Sequence, residues 1–272
     1  MANYIDEEIL CEAYTRLNID IYKDREALAK LKTHLISYFE EWAKFLLGEN
    51  IRVEITFDEG SLITKATALG SAGALLITAI GTYGSFRQGV EQFSKDAASL
   101  AQGTNLEVLF RTRTPYCDRV NIEKRTGVFG RVDDLLGDLD TIKSAIEGKV
   151  TVPRNLPALE NYSLITESLI TWHSKAVKLF DKLESPKTEA CIAHGLVEEL
   201  NQLPKNLEWE KNLSDSSFRS QLSRSDPDFA GKLGGVATRY KQTLASIKEA
   251  LTTRRDIAQA DAEKKEQFAS LQ

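Results

Sequence analysis

Cysteine, histidine, proline and methionine are all scarce in this chain of 272 residues, which has three, three, six and one of them respectively. Cys11, Cys117 and Cys191 lie far apart and are odd in number, a poor basis for a disulfide framework. They point instead to a reducing, cytoplasmic compartment. The N-terminal run MANYIDEEILCEAY carries acid where a signal peptide carries base and has no uninterrupted apolar core, so secretion by that route is not expected. A single methionine excludes the Met-rich, adaptable surface used by some promiscuous binders. With a net charge of −5, the chain also lacks the basic excess of a protein whose whole surface coats nucleic acid.

The same scarcity restricts chemistry. His173 has Leu169, Ile170 and Val177 at helical neighbour positions and reads as a residue flanking a core. Cys191 and His194 share a helix face, but without a second Cys/His pair they do not make a structural zinc site. As a nucleophile pair they would need a depressed cysteine pKa. G-x-S-x-G, H-E-x-x-H and paired-carboxylate signatures are absent, and Gly81, Gly84 and Gly89 match neither dinucleotide nor P-loop spacing. No metal or cofactor is expected, and no catalytic constellation is legible.

What is present is the makeup of a folded protein: 42% hydrophobic and 28% charged residues, enough to bury a core in one large or two ordinary domains. Leu28, Leu31, Leu35, Phe39, Trp42 and Leu46 recur at spacings of three and four, which predicts an amphipathic helix ending at Gly48. A shorter helix is expected before it, around Asp6 to Leu17. Ile51, Val53, Ile55 and Phe57 then alternate with polar residues, followed by a turn-like Asp58-Glu59-Gly60-Ser61 and an extended run from Leu62 to Thr67. This change of period predicts a β-hairpin, which needs a cover to be stable.

The longest uncharged stretch follows, Ala66 to Phe86 between Lys65 and Arg87. As one helix it would reach about 31 Å, close to the hydrocarbon thickness of a bilayer. Its glycines and hydroxyl residues make it less apolar than a membrane span, so the expectation is a Gly/Ala-rich core helix, shortened where Gly81 or Gly84 breaks it. In that helix Ala66, Gly70, Ala74 and Thr78 form a small-residue stripe suited to close packing, while Leu76 and Ile80 bulk out another face.

Ser85 is a natural N-cap for a further helix through Gln102. Leu106 to Arg111 is ambiguous and permits a third strand. Thr114 to Gly130 reads as an irregular loop carrying a basic cluster of Arg111, Arg113, Arg119, Lys124, Arg125 and Arg131. Such a cluster suits phosphate groups of a nucleotide, nucleic acid or anionic lipid, or it is a solvated loop paired with acids such as Asp133, Asp134 and Asp138. A helix is expected from Arg131, and a boundary at residues 149–157 around Pro153 and Pro157. Beyond it, stripes at Ile165 to Leu183 and Ala190 to Leu200 predict antiparallel helices. A Ser-rich connection leads from Pro204 to Pro227 into a long helix through Leu233, Tyr240 and Leu251, whose last turns are charged.

The expected fold is therefore α+β and predominantly α-helical, with a small β-hairpin or sheet in an N-terminal domain, residues 1–148, and a C-terminal antiparallel helical bundle, residues 158–272. The expected role is non-enzymatic: an intracellular protein–protein interaction or assembly subunit, with a protein partner or a homo-oligomer. One alternative is a membrane-associated or membrane-inserting effector using segment 66–86 and the basic loop 111–131, peripheral to an anionic membrane. Another is a nucleic-acid or nucleotide binder through the same loop.

Overall fold

A computed structural model describes residues 7–58, 62–147, 158–206 and 228–270. The fold is α+β and predominantly helical, with a small antiparallel sheet near the N-terminus and a long C-terminal helix. The strands are β1 (Glu8–Leu17), β2 (Arg52–Asp58), β3 (Leu62–Gly70) and β4 (Arg119–Arg125). The helices are α1 (Arg25–Leu47), α2 (Ala72–Tyr83), α3 (Phe86–Thr112), α4 (Gly127–Ile146), α5 (Ala158–Phe180), α6 (Pro186–Asn201) and α7 (Phe229–Ser270). Backbone contacts divide the chain into two compact units: residues 1–133 with 183–188, and residues 134–182 with 189–272. The expected 149–157 linker lies outside the described residues, as does most of the Ser-rich connection.

The first unit is built on a four-stranded sheet of order β2-β3-β1-β4, antiparallel throughout. Alternation dictates its two faces. Leu62, Thr64, Ala66, Ala68 and Gly70 of β3 are buried on one side, beside Ala13, Thr15 and Leu17 of β1. The small residues let α1 and α3 lie close over that face. α1 packs on β2 and α3, and α3 packs on β1 and β4. Asp24 caps α1 by accepting from the N–H groups of Glu26 and Ala27 at 3.0 Å, and Gly48 ends it. The opposite face carries Glu12, Arg16, Glu54, Asp58, Lys65 and Arg125. One side of the sheet is covered, and the other carries these charges together with Tyr14, Ile63 and Leu69.

Four expectations need correction here. Residues 8–17 form the strand β1 rather than a helix, held between β3 and β4. Segment 66–86 is not one helix. Ala66 to Gly70 complete β3, Ser71 caps α2 by accepting from Ala74 N–H at 3.3 Å, and α2 ends at Gly84, which takes a left-handed conformation at φ 80°. Its 12 residues reach about 18 Å. Ser85 caps α3 as expected, but that helix runs on through Leu106 to Thr112, leaving no third strand there. The stretch expected to be a loop holds β4 and the first turns of α4, which begins at Gly127 rather than Arg131.

The second unit is helical. α5 runs closest to α7 rather than to α6, and the stripe Leu233, Ala237, Tyr240, Leu244, Ile247 and Leu251 of α7 is buried. Trp172 of α5 is 1% exposed and donates from Nε1 to the carbonyl of Leu135 at 2.9 Å, satisfying the one polar atom of that ring. Tyr240 likewise donates its hydroxyl to the Pro204 carbonyl at 2.7 Å. Arg254 lies over the Phe180 ring at 4.8 Å and pairs with Glu189.

Candidate functional site

The basic cluster is spread along three elements. Arg111 and Arg113 end α3, Arg119, Lys124 and Arg125 belong to β4, and Arg131 is on α4. Strand geometry divides it further, because consecutive strand residues point to opposite faces. Lys124 shares the helix-covered side with Ala13, while Arg125 pairs in register with Glu12 on the other side. Arg125 forms ion pairs with Glu12 and with Glu123 and stacks 5.1 Å from the Tyr14 ring centre. The hydrogen bonds that it donates to Glu123, helped by Glu12, raise its pKa above the ordinary arginine value.

Arg111 donates to Glu107 at 2.7 Å, and Arg119 reaches the Thr114 carbonyl at 3.4 Å and the face of Tyr116. Arg113 adopts φ 50°, a conformation rare for a residue with a β-carbon, as it turns the chain off α3. Among the described residues no acidic side chain pairs with Arg113, Lys124 or Arg131. Glu107 pairs with Arg111, and Glu12 and Glu123 pair with Arg125. Asp138 instead pairs with Lys175 at 2.7 Å.

The small-residue stripe is divided by the strand-to-helix turn. Ala66 and Gly70 are buried in β3, and Leu76 is buried on α2. Ile80 is half-buried, while Ala74 and Thr78 are exposed. The exposed side of α2 is uncharged and includes Ile77 and Tyr83. Among the described residues, no helix is long and apolar enough to cross a membrane.

Two polar groupings in the first unit have no local signature. Asn105 of α3 is buried and accepts from the Thr15 hydroxyl at 2.7 Å while donating to the Glu123 carbonyl at 2.7 Å, so one amide ties α3 to β1 and β4. His34 of α1 meets Glu107 of α3 at 2.8 Å. Burial acts to raise the Glu107 pKa, but hydrogen bonds from Arg111 and His34 outweigh it and hold the carboxyl below its ordinary range. Thr15 and Asn105 are 90 positions apart, and His34 and Glu107 are 73 apart. Spacing along the chain carries no trace of them.

Cys191 is pushed up to about 11 and Cys11 to about 12, both chiefly by burial, which disfavours the thiolate a nucleophile requires. His194 pairs with Glu198 at 3.4 Å. Among the described residues no three His, Cys, Asp or Glu side chains are placed to hold a metal ion. A surface cavity of about 370 Å³ between α4 and α5 is lined by Asp138, Glu167, Trp172 and Lys175, and its one basic group is already paired. No protein-family model, curated protein or solved structure matches the chain.

Proposed function

We propose that this chain is a non-enzymatic protein–protein interaction or assembly subunit that presents the end of α7 to a protein partner. The observation that carries this reading is the mismatch between α7 and what it packs on. α7 has 42 residues, about 63 Å, whereas α5 has 23, about 35 Å. Its buried stripe ends at Ala258, and Ile257 and Phe268 stand 60% and 71% exposed. At about 100° per residue these two side chains fall about 20° apart around the helix axis, three turns from one another. A charged helix that exposes two apolar side chains on one face is suited to a groove on a partner.

The test is affinity isolation of the tagged full chain from its own cells, beside an Ile257→Glu/Phe268→Glu variant. A stoichiometric partner lost from the variant is the expected result. A tagged parent that recovers no stoichiometric protein other than itself, or an Ile257→Glu/Phe268→Glu variant that still recovers the same partner, overturns the reading.

A further inference from the structure

We propose that β2 is a docking edge for a second copy of this chain, which adds its own β2 antiparallel and continues the sheet across a two-fold axis. This deepens the assembly reading by naming one partner. It rests on that reading only in being an association, because it uses a surface in the other unit.

Among the described residues β2 is one edge of the sheet, and its ladder to β3 runs from Arg52↔Leu69 to Asp58↔Ile63 without a register shift. Natural edge strands are commonly protected from pairing by proline, lysine, bulges or like charges. β2, with sequence RVEITFD, has neither proline nor lysine.

Set against itself in the antiparallel sense, the strand is self-complementary about Ile55. Arg52 falls opposite Asp58 of the second copy, Val53 opposite Phe57, Glu54 opposite Thr56 and Ile55 opposite Ile55. The apolar pairs all lie on the helix-covered side and the polar pairs on the open side, so both faces of the sheet continue unchanged. Val53 and Phe57 are half-exposed and gain cover from the pairing. Within its own chain Asp58 lies 3.4 Å from Lys65 and Arg52 pairs with Glu7 at 2.7 Å and with Glu54, so across the two-fold axis Asp58 joins the acids already gathered on Arg52 of the other copy.

The register is specified as well as permitted. Slipping by one residue flips one strand's side chains to the wrong face. Slipping by two in one direction sets Glu54 against Glu54, and in the other sets Glu54 against Asp58. The other edge, β4, lacks this complementarity. Centred on Ile122 it sets Arg119 against Arg125, it contains Lys124, and its ladder to β1 shifts register between Arg16 and Leu17.

The experiment is sedimentation of the full chain over a concentration series, for the parent, Arg52→Asp, Asp58→Arg and an equimolar mixture of the two variants. Both side chains are 53% exposed, and far-UV circular dichroism verifies folding. The parent is expected to dimerise, and each single variant to associate about ten- to a hundredfold more weakly, since symmetry places like charges at two sites. The mixture is expected to restore the dimer, because the two acids that end β2 in one variant then face the two arginines that end it in the other. A parent that is monomeric throughout, a dimer unchanged by either substitution, or a mixture that does not recover association overturns the proposal. If a charge reversal disturbs folding, Arg52→Gln and Asp58→Asn replace the reversals, and a dimer that neither weakens overturns it too. None of these outcomes alters the α7 test, whose variant leaves β2 intact.

Discussion

The backbone N–H of Gly73 donates to the hydroxyl oxygen of Thr188 at 2.9 Å, although the two residues are 115 positions apart. A β-carbon at Gly73 would lie 2.8 Å from Thr188 Cα and 2.9 Å from its nitrogen. Beside them, Glu8 is 4% exposed and accepts from Ala72 N–H at 3.1 Å and Ser185 N–H at 3.2 Å. One carboxylate thus serves two backbone donors that open helices. Gly73→Ala is expected to cost about 1–3 kcal/mol through overpacking. Because the obstructing atoms are backbone, adding Thr188→Ala does not restore the loss. Urea unfolding of both variants measures this, and full recovery in the double variant would contradict the assigned contact.

Asn105 should be the most sensitive polar position of the first unit. Asn105→Ala removes the partner of the Thr15 hydroxyl and of the Glu123 carbonyl and is expected to cost about 1–3 kcal/mol. Combined with Thr15→Val the losses should be less than additive, by at least about 0.5 kcal/mol. Strict additivity would mean the two side chains do not interact.

Trp172 separates packing from hydrogen bonding. Trp172→Phe keeps most of the ring volume but removes the indole donor to the Leu135 carbonyl, which keeps its helical position inside α4, for an expected loss of about 0.5–1.5 kcal/mol. Trp172→Ala adds a cavity and should cost about 3–5 kcal/mol. Equal denaturation midpoints for the two variants would rule out the packing contribution.

Thiol chemistry should be selective. Cys117 is exposed, whereas Cys11 and Cys191 are held by burial at about 12 and about 11. At pH 8 one thiol is expected to react quickly with an aromatic disulfide reagent in the native protein, and all three after unfolding. Fast native reaction of a second thiol, located by peptide mass, contradicts this.

His173 gives a pH dependence with a definite sign. Burial lowers its pKa below the ordinary 6.5, so between 6.5 and the lowered folded value the unfolded chain binds the proton better. Its contribution is neutral above that window, and stability is lost as pH falls through it. His173→Gln should therefore gain on the parent when stability at pH 5.5 is compared with stability at pH 8. An unchanged difference between the two pH values would show that the ring is not desolvated.

Much of this architecture is legible in the residues because its period is local. The alternation from Arg52 to Asp58 and the three-four spacing of Leu31, Leu35 and Phe39 each report one element from within itself. β1 is obscured because Leu10, Ala13 and Leu17 fall at helical intervals, and a register shift between Ile9 and Cys11 breaks the strand alternation. Its true partners are residues 62–70 and 119–125, which no window around it contains. The uncharged stretch hides its turn at Gly70 and Ser71 because strand and helix there draw on the same small residues. The basic cluster is visible as a count of charges, but its division between two faces depends on Arg119 to Arg125 being a strand. Asn105 and Glu107 carry no signal at all, since their meaning lies in what the folded chain brings beside them.

The placement of β1 also orders events during synthesis. Its ladder to β3 becomes available once residue 70 has left the ribosome, but its ladder to β4 must wait for residue 125, and the donor at Ser185 arrives only after α5 has been made. For that interval Glu8 is a carboxylate waiting for its second donor. A nascent chain stalled before residue 185 would carry a first unit still open at that corner, however complete its sheet.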